Sequence, residues 1–421
     1  MKVWLIYPYG PIPGEGWRDY RATMIAGALV ARGHQVTWWT ANYSHHLKIF
    51  RSSGWKDFQV YPGFRICLVP TVGYRKNIGV GRLLFQRTYA KELFARAVCE
   101  DPPDLIIVGE PPHSAGCVAK RLGRRFAIPV VFDVLDLWPE LFSIVFPPFL
   151  RSISKLLFLP LYFLRRRNIR LADAVIAACK TYLETALRDA PFLKEKFSAC
   201  VYWGVDVKGV RESNPSISGE VTGWREKEPG EVWAIYAGSL GNNYDIMTLL
   251  RAAKKLKERR SPLIILIAGT GPLKEQVIRF IETNNLDNTR YLGIVKPEIL
   301  SGLYRDCDIG LCTYSPESTV AMPIKLYDYL AAGLPIVSSL LGELEDFLRE
   351  ERIGLQYLSG DAESLSRALE MLAKDEVMRL RMAKISYDGA MKFDQAVQYA
   401  KLVEIAEKVC SGRKASAATA G

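Results

Sequence analysis

The amino-acid sequence predicts an α/β protein built from two doubly wound, parallel-sheet domains. The chain has 421 residues, a length that suits two domains of about 200 residues better than one. Two segments, KVWLIYPYG and VWAIYAGSLG, each run from an apolar strand into a glycine-containing turn and then into a helical pattern. Most other apolar runs are continuous, which is typical of parallel strands covered on both faces.

Strands and helices alternate along the first half of the chain. The strand KVWLIYPYG is followed by a helix predicted over residues 20–32, which Gly33 closes. Further helices are predicted over residues 84–98 and 114–126, and the remaining predicted strands are HQVTWWTA, FRICLVP, DLIIVGE, IPVVFDV and ADAVIAAC. This alternation indicates a first domain over residues 1–205.

The alternation resumes after a polar stretch that is rich in Gly, Pro and Ser. That stretch, residues 206–230, is predicted to be a linker, and the second domain is predicted over residues 231–385. Its strands are VWAIYAG, PLIILIAG, TRYLGIV, DIGLCTY, LPIVSS and GLQYL, and its helices cover residues 244–258, 273–284, 296–306 and 324–332. The helical pattern then continues: residues 386–410 are expected to return to the first domain, and residues 411–421 to form a flexible tail.

Composition narrows the classes of function. The eight cysteines are scattered without a C-x-x-C pair, as in proteins of a reducing compartment, and MKVWLIYPYG resembles a first strand more than a signal peptide. We therefore expect a cytoplasmic protein. The sequence has no Ser-His-Asp order, P-loop or cluster of metal ligands, which argues against hydrolases, kinases and metalloenzymes and predicts that no metal or other cofactor is bound.

Positive charge is concentrated in the first half of the chain. Residues 1–200 hold 28 Lys+Arg against 15 Asp+Glu, a net charge of +13, whereas the remainder holds 28 against 30, a net charge of −2. Because basic residues are not interleaved with stacking aromatic residues, nucleic acid is disfavoured as a partner. An anionic membrane surface is the preferred partner.

The segment that carries this membrane prediction lies within residues 141–172, which contain no acidic residue. Its apolar run, residues 156–164, is too short to span a bilayer and contains Pro160. We expect a helix that lies in the interface with its arginines toward the headgroups, and a buried core helix is the alternative. The arginines are Arg165, Arg166, Arg167 and Arg170.

The segment MPIKLYDYLAAGLPIVSS has the features of a nucleotide-sugar site. A helix that begins near Pro323 leaves several backbone N–H groups without intrahelical partners, and its dipole favours phosphate. Lys325 would supply a cation for a diphosphate, and Asp328 is the kind of acceptor that ribose hydroxyls need. Each piece alone is also compatible with an ordinary capped helix.

Three loops offer further contacts for phosphate. GSLGNNYD provides glycine turns and N–H groups at a helix start, although a plain strand-to-helix turn is an equal alternative. AGTGP lacks the third glycine and the downstream acid of a dinucleotide fingerprint. PGEGWRDY is predicted to be a flexible loop with Arg18 at a helix start, and a solvated loop is its alternative.

Acidic residues and a histidine follow two strands of the first domain. FDVLDLWPE places Asp133, Asp136 and Glu140 directly after a buried strand, where like charges raise each other's pKa, so a function is favoured. His113 in GEPPHS is a candidate to accept a proton or bind a sugar hydroxyl, with a surface-loop histidine as the alternative. His45 and His46 are predicted to be surface residues.

Together these motifs resemble the family 4 glycosyltransferases of GT-B fold, especially those of bacterial cell-surface polysaccharide assembly. The resemblance extends to about Val409, and DLWPE and P-x-K-x-x-[DE]-Y-x-A-x-G-x-P-I are its most specific parts. It implies two Rossmann-like domains that face a central cleft, with the acceptor in the first domain and the donor in the second. It also implies a retaining, metal-independent transfer from a UDP or GDP sugar to a lipid-linked saccharide, at the inner face of the cell membrane.

The resemblance also assigns roles to residues. Asp133 and Asp136 would be catalytic, Lys325 would hold the diphosphate, and Asp328 the ribose. The other donor contacts would be Gly16, Arg18, Gly238, Ser239, Leu240, Gly241, Gly269 and Gly271, with Gly293, Ile294 and Val295 around the base. The sugar contacts would be Glu110, His113, Glu140 and Glu317.

Two departures from the family pattern leave other functions open. Val320 stands where relatives often carry an acid that binds the sugar, and Glu317 is the candidate substitute. Asn242, Asn243 and Tyr244 replace a common Arg and Lys. A sugar-nucleotide epimerase of the same fold, an NAD(P) oxidoreductase and a catalytically inactive membrane partner are the alternatives.

Overall fold

The computed structural model describes residues 1–77, 79–146, 149, 153, 156–193, 197–213, 221 and 225–418. The chain forms two compact units, each built on its own sheet. The first unit comprises Met1–Tyr202 with Gln398–Gly421, and the second comprises Trp203–Val397. The predicted α/β class with two parallel-sheet domains is confirmed.

The first unit contains an eight-stranded sheet in the order β3-β4-β2-β1-β5-β6-β7-β8. All neighbouring strands are parallel except β3, which pairs with β4 in antiparallel orientation. The strands are β1 (Lys2–Ile6), β2 (Gln35–Ala41), β3 (Lys56–Tyr61), β4 (Phe64–Val69), β5 (Leu105–Glu110), β6 (Val130–Val134), β7 (Ala174–Ala177) and β8 (Ser198–Cys200).

The sequence analysis missed only the two edge strands, β3 and β8, among the described strands of this sheet. Strand β3 is largely polar, and its residues alternate between exposed and partly buried, because one of its faces meets solvent. Strand β8 has three residues, all partly buried. Neither strand therefore shows the continuous apolar run that marks a central parallel strand.

Helices connect the parallel strands of the first unit. Helix α3 lies between α2 and α4 and contacts both, and it also packs on β5. These helices are α1 (Arg21–Ala31), α2 (Val80–Ala97), α3 (His113–Phe126), α4 (Leu159–Arg170) and α5 (Lys180–Asp189). Because each helix follows a strand, the start of each lies toward the edge where the strands end.

The second unit contains a six-stranded, all-parallel sheet in the order β11-β10-β9-β12-β13-β14. All six strands were predicted. They are β9 (Val232–Ala237), β10 (Leu263–Ala268), β11 (Thr289–Gly293), β12 (Ile309–Cys312), β13 (Ile336–Ser338) and β14 (Gly354–Gln356). Their side chains and those of the covering helices form one apolar core.

The helices from Val207 onward complete the chain. They are α6 (Val207–Glu212), α7 (Ile246–Glu258), α8 (Lys274–Thr283), α9 (Pro297–Asp306), α10 (Ile324–Ala331), α11 (Glu343–Glu351), α12 (Ala362–Lys374), α13 (Glu376–Gly389) and α14 (Gln395–Ala418). Helix α6 lies inside the segment predicted to be a linker. The C-terminal helical pattern is interrupted by a 3-10 turn, Ala390–Phe393, after which Tyr399, Leu402 and Val403 of α14 join the core of the first unit.

Candidate functional site

Two glycine turns lie side by side at the strand ends of the second unit. Gly238 follows β9 and Gly269 follows β10, with φ of +151° and +135°. A β-carbon at Gly269 would overlap the carbonyl oxygen of Gly238, so this position requires glycine. The amides of Gly238 and Leu240 donate to the carbonyls of Ala268 and Thr270 at 2.9 Å, so the two turns support each other.

This pairing determines which backbone donors remain for a ligand. Of the four predicted diphosphate contacts in the first turn, the amides of Gly238 and Leu240 are already used. Those of Ser239 and Gly241 have no partner among the described residues. Both are partly or fully exposed, and amides of this kind are suitable donors for a phosphate oxygen. Gly271, with φ +158°, approaches Leu240 closely, since a β-carbon there would overlap the carbonyl oxygen of Leu240.

Lys325 extends from the first turn of α10 to the same glycine turn. Helix α10 begins at Ile324 with Pro323 as its N-cap residue, as predicted. The Lys325 Nζ atom lies 3.8 Å from the ring centre of Tyr236 and 2.9 Å from where a β-carbon of Gly238 would stand. Gly238 therefore makes room for the ammonium group.

The Lys325 ammonium is buried, and among the described residues it has no hydrogen-bond partner. The rings of Tyr244 and Tyr314 lie 5.3 Å and 5.5 Å from it, so its surroundings are largely aromatic. Burial lowers the pKa of Lys325 from 10.5 to about 8. A buried cation without a counter-charge is costly, and an anionic ligand would supply the missing partner.

The remaining predicted donor residues fall around this point. Gly293 ends β11 with φ +67°, and its carbonyl accepts the amide of Gly269 at 2.6 Å. Ile294, which follows it, is exposed, and Val295 is partly buried. Asp328 is buried in α10, one turn beyond Lys325. The structure thus brings the strand-end donor residues of the second unit onto one edge of its sheet.

Val320 and Glu317 lie on the segment before α10. Both are partly buried. The amide of Val320 donates to Ser318 Oγ at 3.3 Å, so the segment is folded back on itself locally. The role of Glu317 as a substitute for the missing acid stays a prediction.

In the first unit, Asp133 is fully buried and paired. Arg21 donates from Nε and Nη2 to the two carboxylate oxygens of Asp133 at 2.8 Å and 2.7 Å, and the Tyr7 hydroxyl donates at 2.7 Å. Burial alone would lower the pKa of Arg21, but the charge of Asp133 raises it above its ordinary value. Burial and Asp133 also raise the pKa of Tyr7.

This arrangement leads us to revise the predicted role of Asp133. Neither carboxylate oxygen is exposed, and both are bonded within the unit. We therefore assign Asp133 a positioning role: with Arg21, which also donates to the carbonyl of Val201 at 2.6 Å, it joins β6 and α1 to the residue that follows β8. Sequence reasoning missed Arg21, because an arginine that opens an apolar helix shows no local sign of burial.

Asp136 is partly accessible, as is Glu140, whereas Asp133 is fully buried. Its Oδ1 accepts the amide of Leu137 at 2.8 Å. Burial raises the pKa of Asp136 from 3.8 to about 6, a smaller contribution from Glu140 acts in the same direction, and Arg82 opposes it. The sequence analysis attributed the raised pKa to the neighbouring acids. In the structure the largest cause is burial.

Glu140 pairs with Arg165, and this corrects the membrane prediction. Arg165 Nη1 donates to Glu140 Oε2 at 2.7 Å and to the carbonyl of Trp138 at 3.0 Å. Arg165 is buried, so it does not face headgroups as predicted, whereas Arg166, Arg167 and Arg170 are exposed. Among the described residues, no helix has both the length and the hydrophobicity needed to cross a bilayer.

Glu110 and His113 form a buried pair where β5 meets α3. His113 Nδ1 is hydrogen-bonded to Glu110 Oε1, and both side chains are almost completely buried. The other polar atoms, Glu110 Oε2 and His113 Nε2, have no partner within the described part of the chain. The alternative that His113 is a surface-loop residue is therefore wrong.

The loop with Gly16 and Arg18 is anchored by an ion pair that sequence reasoning missed. Arg51 Nε donates to Glu15 Oε1 at 2.8 Å, and its Nη2 donates to the carbonyl of Gly10 at 2.7 Å. The amide of Ile12 donates to Glu15 Oε2 at 3.0 Å. Gly16, with φ +75°, lies in open space. Arg51 lies too far along the sequence for its pairing with Glu15 to be foreseen.

Arg82 and aromatic side chains line the neighbouring strand ends. The Arg82 guanidinium lies 4.6 Å from the ring centre of Trp138 and 5.1 Å from that of Tyr9. His45 is partly buried, not a surface residue as predicted. Its Nδ1 is hydrogen-bonded to the Tyr74 hydroxyl, and burial lowers its pKa to about 3.

Comparison with known proteins gives one family match in each unit. Residues 19–192 match the family described as "Glycosyl transferase 4-like domain". Residues 224–388 match "Glycosyl transferases group 1". A curated relative is the chitobiosyldiphosphodolichol beta-mannosyltransferase of Mus musculus, which is 26% identical over 181 residues. That match covers 40% of this chain and 37% of the mouse protein, so the chain spans about a third of this relative.

Solved structures share the fold over nearly the whole chain. Sucrose-phosphate synthase from Thermosynechococcus elongatus has a TM-score of 0.70 and 16% identity, and the match covers 98% of this chain and 99% of that one. Anabaena HepE in complex with UDP-glucose has a TM-score of 0.62 and 14% identity, with 98% and 100% covered. At these identities the likeness shows the fold.

Proposed function

Because the chain belongs to the family 4 glycosyltransferases of GT-B fold, we propose that it transfers a sugar from a nucleoside diphosphate sugar to a lipid-linked saccharide. UDP or GDP is the proposed nucleotide. The product would enter surface polysaccharide or glycolipid assembly. HepE was solved with UDP-glucose, and the name of the mouse relative describes a lipid-diphosphate-linked acceptor; both support the proposal.

The buried Lys325 ammonium is the observation that supports this function most. It lies against the Gly238 turn without a hydrogen-bond partner in the described part of the chain, at the first turn of a helix. The helix dipole and the amides of Ser239 and Gly241 add positive potential near the same point. A diphosphate would neutralise the ammonium and accept these donors together, and it would do so most strongly as the leaving group gains charge.

The proposed chemistry is a front-face displacement with retention of configuration. The acceptor hydroxyl attacks the anomeric carbon on the side from which the nucleoside diphosphate leaves, and a diphosphate oxygen takes the hydroxyl proton. Lys325 stabilises the leaving diphosphate, and Asp136 is assigned to the acceptor side, where it orients the attacking hydroxyl. No metal is required in this scheme, because the ammonium and the amide groups carry out the charge neutralisation that a metal would otherwise perform.

The acceptor is assigned to the strand ends of the first unit. Tyr9 offers a partly exposed aromatic ring, and the buried His113 has an imidazole nitrogen without a partner among the described residues. Exposed Arg166 and Arg167 of α4, next to the apolar segment before them, would bring the protein to the anionic inner face of the cell membrane. A lipid-linked acceptor would be presented there.

Nucleotide binding is the direct test of this proposal. We expect UDP or GDP to raise the melting temperature of the full chain, and NAD to leave it unchanged. A panel of UDP and GDP sugars, offered with extracted membrane lipid, should then yield labelled glycolipid with one of them. Stabilisation by NAD alone, or the conversion of one nucleotide sugar into its epimer without transfer, would overturn the proposal.

A further inference from the structure

Two cations and a tyrosine lie together at the strand ends of the first unit. Tyr9 comes after β1, Lys48 comes after β2, and Arg82 lies in the first turn of α2. All three side chains are partly buried. Because β1 and β2 are neighbouring parallel strands, these residues lie at the same edge of the sheet as Asp136, which comes after β6. We call Tyr9, Lys48 and Arg82 the cationic cluster.

Both cations of this cluster donate to neutral groups. Lys48 Nζ donates to Asn77 Oδ1 at 2.6 Å, and Arg82 Nη1 donates to the carbonyl of Asn77 at 2.7 Å. Arg82 Nε donates to the Tyr9 hydroxyl at 3.3 Å. Neither cation forms a salt bridge with any residue that the structure describes. The positive charge of the cluster is therefore not neutralised by direct pairing.

The groups of the cluster that remain unused are donors. The Tyr9 hydroxyl also accepts Gln86 Nε2 at 3.0 Å. A hydroxyl has two acceptor lone pairs and one proton, so with both lone pairs in use its proton is left to donate. The Lys48 ammonium has two further protons, and Arg82 Nη2 has no protein partner within the described ranges. A ligand that fits these groups must supply acceptors.

The two cations are held close enough to repel each other. Burial lowers the pKa of Lys48, and the positive charge of Arg82 lowers it further. Lys48 also has a backbone φ of +58°, in the left-handed region that a lysine rarely adopts. The fold thus brings two like charges together at a backbone conformation that is itself unfavourable. A bound anion would replace this repulsion by attraction.

The cluster also lies near the carboxylate that is assigned to the attacking hydroxyl. The Arg82 guanidinium lies 4.6 Å from the ring centre of Trp138, two residues beyond Asp136. Burial raises the pKa of Asp136, and the charge of Arg82 opposes this rise, so the two groups interact. An anion at Arg82 and a hydroxyl at Asp136 would therefore belong to neighbouring parts of one bound molecule.

We propose that the cationic cluster binds a phosphate group that the acceptor carries within one sugar residue of the hydroxyl that is glycosylated. This inference rests on the proposed function and adds the charge of the acceptor to it. A phosphate offers several acceptor oxygens to donors from three chain segments, and its charge is strongest where both cations reach it.

Two sources could supply this phosphate. One is the phosphate that joins the first sugar to the lipid; the acceptor is then the product of a reaction that transfers a first sugar onto a lipid phosphate. The other is a phosphate substituent on the saccharide itself. Both place the same chemical group beside the accepting sugar.

Steady-state kinetics with extracted glycolipid tests the cluster. Lys48→Met should raise the KM for the acceptor about 10–100-fold, because one charged hydrogen bond is lost. It should leave kcat and the KM for the nucleotide sugar nearly unchanged, since binding and not chemistry is affected. Lys48→Arg keeps the charge and should retain most of the affinity. Thermal unfolding of each variant shows whether the fold is intact.

Lys91→Met is the matched control, because it removes one positive charge from an exposed position of α2. It should leave the KM for the acceptor unchanged. An unchanged KM in Lys48→Met would overturn the proposal, and so would an equal rise in Lys91→Met, which would show a general effect of charge.

Calorimetry with inorganic pyrophosphate separates this inference from the proposed function. The full chain should bind pyrophosphate at two sites, one lost in Lys325→Met and the other in Lys48→Met. A single site that Lys325→Met abolishes would overturn the cationic cluster as an anion site and leave the glycosyltransferase proposal intact. A site that Lys48→Met abolishes, in a chain that binds no UDP or GDP, would overturn the glycosyltransferase proposal and leave the anion site in place.

The labelled product identifies the source of the phosphate. Mild acid should release the saccharide from its lipid, and anion-exchange chromatography then measures its charge. A neutral disaccharide would identify the phosphate that joins sugar to lipid, and a phosphorylated saccharide would identify a substituent. A longer neutral saccharide, or one whose only acid is a carboxylate, would overturn the proposal.

Discussion

Buried charged groups lie at the strand ends of both units, but those of the first unit have partners of opposite charge and the Lys325 ammonium of the second unit has no hydrogen-bond partner within the described ranges. In the first unit buried Asp133 is paired with buried Arg21, buried Arg165 with the partly exposed Glu140, and Glu110 with His113. In the second unit the Lys325 ammonium lies among aromatic rings without a partner in the described part of the chain. The paired charges stabilise the fold, and the unpaired ammonium group is available to an anionic ligand.

A paired and an unpaired buried charge affect the stability of the free protein differently. A satisfied buried pair is destabilising to break, because the remaining partner stays buried and uncompensated. An unpaired buried cation has the opposite effect. Its desolvation destabilises the free protein, and a bound anion reduces this destabilisation. Substitutions at Arg21 and Lys325 should therefore move stability in opposite directions.

Breaking the Arg21 pair should have the largest effect on stability. Arg21→Met leaves Asp133 buried without its counter-charge and should lower the free energy of unfolding by about 3–5 kcal/mol. Adding Asp133→Leu should recover most of this loss. Urea denaturation of the first unit, followed by tryptophan fluorescence, measures both. Arg32→Ala, which removes an exposed pair with Glu407, is the control, with an expected effect of about 0–1 kcal/mol. Equal losses in Arg21→Met and the double variant would contradict the pairing argument.

Removing the unpaired cation should weaken nucleotide binding without loss of stability. Lys325→Met should weaken UDP or GDP binding about 100-fold, in line with a charged hydrogen bond of about 1.5–3 kcal/mol. The same change should leave the melting temperature of the free protein unchanged or higher. Isothermal titration calorimetry and thermal unfolding measure the two quantities. Lys384→Met, on an exposed lysine, should change neither, and unchanged nucleotide affinity in Lys325→Met would remove the phosphate assignment.

Asp136 provides a test of a partly accessible carboxylate at the strand ends of the first unit. Asp136→Asn should lower the rate of transfer about 10–100-fold and leave nucleotide affinity unchanged. Since the pKa of Asp136 is raised to about 6 and the ionised form is the active one, the rate of the parent enzyme should fall as pH decreases through about 6. Asp136→Asn should lose this dependence. Asp101→Asn at an exposed site should keep the parent profile, and a parent profile in Asp136→Asn would exclude Asp136.

Proton uptake on nucleotide binding is the smallest expected effect. The pKa of Lys325 is about 8 in the free protein, and a bound diphosphate should raise it toward its ordinary value of about 10.4. Between these values the free form is neutral and the bound form is charged, so binding should take up a proton near pH ~9 and little near pH ~7. Affinity should fall as pH rises above about 8. Calorimetry in buffers of different ionisation enthalpy measures the uptake, and its persistence in Lys325→Met would assign it to another group.

Most of the strands could be predicted from local pattern. Apolar runs in the sequence correctly predict twelve of the fourteen described strands, including β1 and the short strand at GLQYL. The edge strands β3 and β8 lack such a run, because an edge exposes one side to solvent and needs no apolar continuity. The start of α10 directly after Pro323 could also be predicted, since proline is common where a helix begins.

The sequence predicted which residues belong to the candidate site, but not which of their charges are paired inside the protein. PIKLYDYL gives a lysine one residue into a helix and an acid three residues later, and this spacing alone placed Lys325 and Asp328 at the helix start. That Asp133 is held by Arg21, Glu15 by Arg51 and Glu140 by Arg165 depends on residues between 25 and 112 positions apart. Local periodicity carries no information about such pairs.

Local chemistry thus fixed the α/β alternation, the family and the positions of the chemically active residues, because strand, turn and helix signals act over a few residues at a time. Which charges are neutralised inside the protein and which remain for a ligand was settled by packing. The sheet order brings β1, β6 and α1 together around Asp133. It leaves Lys325 opposite a glycine, where the described ranges supply no hydrogen-bond partner for its ammonium group. The burial and pairing of a charged side chain depend on the residues around it in the folded protein. They determine whether that side chain stabilises the fold or remains available to bind a ligand.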